Sequence, residues 1–107
     1  MNGPQFVEAA RVLAERLLVE HDGQAELALD RAFELLTNRQ PDDEEQQILR
    51  RMHTAQLDWY RSRPDDAAKL VAIGDKKATA ALPAPDLAAT ASVVNALMNY
   101  DGSVVKR

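Results

Sequence analysis

Cysteine is absent from this 107-residue chain. That removes disulfides, thiolate nucleophiles, cysteine zinc sites and covalent haem attachment. Compartment stays open, because helical domains manage without cysteine inside and outside the cell. Glycine is scarce, with four residues in all, scattered so that no phosphate-cradling loop can be built. Serine is also sparse, and none sits in a strand–turn–helix elbow, so a serine hydrolase is not supported. Basic charge is in deficit, 13 Lys and Arg against 17 Asp and Glu, for a net charge of -4. This balance disfavours nucleic acid and anionic lipid as partners. Long apolar runs are missing too. The alanine-rich stretches are broken by Pro83, Pro85 and Asp86, so no membrane insertion is expected. The opening Met-Asn-Gly-Pro-Gln-Phe lacks the basic and apolar regions of a signal peptide.

What remains is 46% hydrophobic, ordinary for a folded domain, in a length that suits one domain. The periodicity is helical throughout, and no alternation long enough for a strand occurs. The expected fold is all-α, a compact bundle of about five helices. Pro4 suits the first position of the first helix, where its missing N–H is not needed. Phe6, Ala10, Leu13 and Leu17 make a stripe that Val7, Ala14 and Leu18 widen. Arg11 and Glu15, four apart, read as an exposed pair on the polar side, worth a few tenths of a kcal/mol. Asp22-Gly23 stops this helix. A second helix over about 24–38 carries Ala25, Ala28, Leu29, Ala32, Phe33 and Leu36 at helical spacing. Phe33 reads as a core anchor, and Phe33→Ala is predicted to cost roughly 3–5 kcal/mol in a thermal melt.

The corner at 38–43 carries the firmest local signals. Pro41 disfavours helical dihedrals at Gln40. Asp42 offers an N-cap oxygen, with Glu45 three residues on to complete a capping box. Asp43, Glu44 and Glu45 bring negative charge to the positive end of the next helix. That third helix reaches about Arg61, with Ile48, Leu49, Met52, Gln56, Trp59 and Tyr60 as its apolar face. Pro64 opens a short fourth helix, whose apolar side is Leu70, Val71 and Ile73 and which Gly74 is expected to close. Residues 75–85 read as a surface connector. Asp86 is expected to cap a last helix carrying Leu87, Val93, Val94, Leu97 and Met98 among alanines that suit close packing. Residues 102–107 read as a tail.

Chemistry is thin. His21, at a helix end, reads as a dipole partner, and His53 as a partly exposed helix residue. Neither has a second histidine or a carboxylate at ligand spacing, so no metal or cofactor site is expected. The acidic run 42–45 lacks the alternating oxygens and central glycine of a calcium loop, and capping explains it. No catalytic constellation is visible. Trp59, Tyr60, Arg61 and Arg63 form the one place where an aromatic pair meets positive charge, a residue mix favoured in binding hot spots. They are the candidate partner surface. The plainer reading is that one aromatic plugs the bundle and its neighbour lies half exposed, since adjacent helical residues face different ways.

Four blocks carry a resemblance: Gly-Pro-Gln-Phe-Val-Glu-Ala-Ala-Arg-Val-Leu-Ala-Glu-Arg (3–16), Arg-Ala-Phe-Glu-Leu-Leu-Thr-Asn-Arg-Gln-Pro (31–41), Ile-Leu-Arg-Arg-Met (48–52) and Val-Val-Asn-Ala-Leu-Met-Asn-Tyr-Asp (93–101). In that order they resemble the C-terminal region of the DUF1553 family, also called the planctomycete PSD1 domain. Asp42-Asp43 stands where that family usually has Thr-Pro, and Tyr100 where it often has leucine. The resemblance implies a C-terminal segment of a longer, exported protein, often accompanied by a cytochrome-c-like region and a DUF1549 region. It carries no catalytic residue to this chain.

Three functional readings follow. The leading one is a non-catalytic structural or protein-interaction module, packed against the rest of its parent protein or a partner. Such a module exposes an apolar patch larger than a monomer's usual few hundred Å², which also opens a route to a homo-oligomer. The second is a supporting segment of a redox or polysaccharide-processing enzyme whose active site lies outside this chain. The third is a small regulator that binds a partner helix in an apolar groove.

Overall fold

Each helix begins and ends where short-range chemistry dictates. The computed structural model describes residues 4–73 and 81–99, with side chains from Val7 onward, in five helices and no strand among them. The chain is all-α. Helix α1 (Pro4–Glu20) starts on its proline. It ends where Asp22 (φ 55°) and Gly23 (φ 81°) turn left-handed and the Gly23 N–H reaches back to the Leu18 carbonyl at 2.7 Å. The Nδ1 of His21 lies 2.8 Å from the Leu17 carbonyl. A carbonyl only accepts, so Nδ1 carries the hydrogen there.

Helix α2 (Ala25–Thr37) closes on Asn38, also left-handed (φ 64°), whose N–H bonds the Glu34 carbonyl. Helix α3 (Asp43–Arg61) opens with the full capping box: Asp42 Oδ1 accepts from the Glu45 N–H at 2.8 Å, and Glu45 Oε1 from the Asp42 N–H at 2.9 Å. Helix α4 (Pro64–Val71) starts on Pro64 and is capped at Ala72.

Helix α5 (Ala84–Met98) corrects one boundary. Asp86 is not its cap. Pro83 occupies that position, and Asp86 sits in the first turn, so Ala84 and Pro85 are helical rather than the end of a connector. Prolines near the first turn cost little, because the N–H groups there have no partner within the helix. The expected closing role of Gly74, the connector over 75–80, the tail over 102–107 and the Phe6 side chain lie outside the described residues.

Helix α5 is the axis of the molecule, packing against all four other helices. Leu87, Ala88, Ala89, Thr90, Ala91, Val93 and Val94 are all buried on it. A helix that is apolar nearly all round belongs inside, and small residues let its neighbours approach closely. Around it, Ala10, Ala14, Leu17 and Leu18 of α1, Ala28, Leu29, Ala32 and Phe33 of α2 and Leu49 of α3 form the main core. A smaller cluster joins Tyr60, Ala67, Ala88 and Ala89 between α3, α4 and α5.

The second correction concerns Arg11 and Glu15. They are not on a solvent face: Arg11 is fully buried and Glu15 is 8% exposed. Nη1 of Arg11 pairs with Oε1 of Glu15 at 3.1 Å, while its Nε and Nη2 are buried without a hydrogen-bond partner among the described residues. Helix α1 packs on α2, α4 and α5, so its buried arc is wider than one apolar stripe.

Candidate functional site

The corner between α2 and α3 builds one wall of a cleft. Thr37 Oγ1 donates to the Phe33 carbonyl at 2.7 Å and closes the last turn of α2. Asn38 then reverses the chain, and Arg39 folds back over Phe33, its guanidinium carbon 5.0 Å from the ring centroid. From there Arg39 reaches Glu45 with both Nη atoms, at 2.8 and 2.7 Å. The fork of a guanidinium matches a carboxylate in this two-bonded geometry. Glu45 is therefore held by Arg39 and by the Asp42 N–H, which together keep its carboxyl down at about 2.

Beyond this corner lies a cleft of about 390 Å³, lined by Phe33, Ile48, Leu49, Met52, Leu97 and Ala96, with Glu45 at its polar end. Its walls come from α2, α3 and α5. Leu49 points to the core at 4% exposure, whereas Ile48, its neighbour, stands 41% exposed on the lip. On an α-helix a step of one residue turns about 100°, so the two cannot share a direction. Met52, one turn beyond Ile48, is half-buried. The volume falls within the range of ligand clefts, about 300–1,000 Å³.

The candidate surface at the far end of α3 divides between inside and outside. Tyr60 is buried, its hydroxyl 3.3 Å from Ser92 Oγ on α5. Trp59 is 44% exposed, edge-on to the Tyr60 ring at 5.0 Å. Arg63 lies over the Trp59 ring at 4.3 Å from its centroid. The structure thus brings Trp59, Tyr60 and Arg63 together. Arg61, two residues from Trp59 and so about 200° around the helix, is exposed on another side.

His53 is half-buried on α3, and its ring is held below the usual range. Burial is the main cause; Asp86 and Glu26 oppose it, and Arg61 adds to it. Among the described residues no group of three or more His, Asp or Glu side chains could hold a metal ion, and no helix is long and apolar enough to cross a membrane.

Sequence reasoning missed the cleft because Ile48, Leu49 and Met52 all read as core. One signal was available. A face as narrow as that of α3 cannot bury adjacent Ile48 and Leu49 together. No family model, curated protein or solved structure matches the chain.

Proposed function

We propose that this chain is a non-catalytic helical module that binds protein, working as a C-terminal part of a larger exported protein. The resemblance to the DUF1553 C-terminal region supports the larger, exported setting. The observation that carries the binding role is Ile48, 41% exposed on the lip of an apolar cleft that the described residues leave open.

The chemistry of the lining favours a protein partner over a small molecule. Small-molecule sites combine apolar walls with a few polar groups that fix the ligand's orientation. Here the one charged group among the described lining residues, Glu45, already spends its oxygens on Arg39 and the Asp42 N–H. What the cleft offers is apolar surface, which suits the side chains of a helix laid along it. Glu45 to Met52 spans seven residues, roughly 10 Å or two turns of α3. That length takes anchors one and two turns apart.

A photo-crosslinking residue at position 48, in cells producing the parent protein, tests this. The expected result is crosslinking to a defined protein segment, well above that of the same residue at exposed Ala68 on α4. Equal labelling from both positions would overturn the binding role.

A further inference from the structure

The cleft is flanked by a stripe on the solvent side of α3. Glu44, Ile48, Arg51, Ala55 and Trp59 recur at intervals of four, three, four and four residues, so they lie along one face. All five are exposed, Ile48 at 41% and Trp59 at 44%. The stripe has an acidic end and a basic middle. Among the described residues neither Glu44 nor Arg51 makes a salt bridge. Arg50, the next base along, is engaged with Glu26, and Arg39 at the corner with Glu45.

Glu44 and Arg51 are seven residues apart, and Ile48 lies between them. This order is self-complementary under a two-fold axis. If a second α3 lies antiparallel across the first with the axis beside Ile48, each Glu44 meets the Arg51 of the other copy. The two pairs then flank the contact at a separation of roughly 10 Å. Ile48 of each copy faces the other's Ile48 and the mouth of its cleft. The antiparallel sense also sets the acidic start of one helix against the basic stretch of its twin, as the helix dipoles favour.

We propose that the occupant of the cleft is a second copy of this chain, in a two-fold dimer with α3 packed antiparallel on α3, Ile48 at its centre and Glu44–Arg51 pairs on either side. This rests on the reading of the chain as a binding module, and it names the partner.

Sedimentation equilibrium on the 107-residue chain, from about 1 µM to 1 mM, reads the association directly. A monomer–dimer equilibrium is expected. Ile48→Lys should abolish it with the thermal midpoint held, because the side chain is substantially exposed already. Glu44→Arg and Arg51→Glu should each weaken self-association about tenfold, since two symmetric pairs turn repulsive. An equimolar mixture of those two variants should regain wild-type strength, because each heterodimer restores both pairs. A strictly monomeric wild type would overturn the proposal, as would a dimer indifferent to the three variants or a mixture that fails to recover. If the chain is monomeric while position 48 crosslinks a different protein, the second-copy assignment falls and the binding role stands. If it is monomeric and position 48 crosslinks nothing, both fall.

Discussion

Arg11 is where single-residue chemistry departs most from its setting. A guanidinium carries five N–H donors, and among the described residues Nη1 has a partner in Glu15 while Nε and Nη2 are buried without one. A buried charge is tolerated only while its counter-charge stays beside it. Glu15→Leu alone is therefore expected to destabilise the fold by about 3–5 kcal/mol. The double variant Arg11→Met with Glu15→Leu should be neutral or more stable by about 1–4 kcal/mol. Urea denaturation of the two variants checks the order; a double variant weaker than the single would refute it. Phe33, at 6% exposure, has the burial that its predicted 3–5 kcal/mol requires. Arg39 covers one face of its ring.

The corner between α2 and α3 and the middle of α3 each carry a pH dependence. The carboxyl of Glu45 is lowered from 4.5 to about 2 in the fold, chiefly by Arg39. A depressed carboxyl stabilises the folded state above its unfolded value, and that contribution disappears as pH falls through the folded one. The corner should therefore loosen between pH 4.5 and about 2, and Glu45→Gln should flatten the stability profile in that window. His53 obeys the same sign for another reason. Its folded value lies below 6.5, mainly through burial, so the unfolded chain binds the proton more readily. Stability is then full above 6.5 and declines as pH falls below it. His53→Gln should remove that decline, measured as the thermal midpoint between pH 8 and 5. A profile unchanged by the substitution would place the titration elsewhere.

For the molecule as a whole, α5 decides the packing. It touches every other helix and buries seven consecutive or near-consecutive residues, three of them alanines. Its amides should be among the slowest to exchange with solvent, because exposing them requires opening the whole core. Ala88 is fully buried between α5 and the α3–α4 pair. Ala88→Leu is expected to cost about 1–3 kcal/mol through overpacking. Ala9→Leu, on the exposed side of α1, should leave the midpoint nearly unchanged. If both substitutions behave alike, α5 is not the constraint that its burial implies.

The boundaries of the helices were legible in the residues themselves. Pro4, Gly23, Asn38, Asp42 with Glu45, and Pro64 act within a turn or two of chain, so their effect needs no knowledge of distant neighbours. Where two such signals competed, as with Pro83 and Asp86, the backbone took the proline-led start and the sequence reading placed it a turn late. Burial was another matter. Ile48 and Leu49, and Trp59 and Tyr60, are adjacent in the chain, yet which of each pair is covered depends on where another helix passes; the same packing buries Arg11 along with Ala10. Small residues on α5 set that distance for α1, α3 and α4 together. The all-α fold and most helix ends therefore followed from local chemistry, the exceptions being the start of α5 and the end of α4, which stops at Val71 short of Ile73. The buried ion pair, the cleft and the exposed stripe of α3 came only from the tertiary packing, because burial is a relation between segments far apart in sequence.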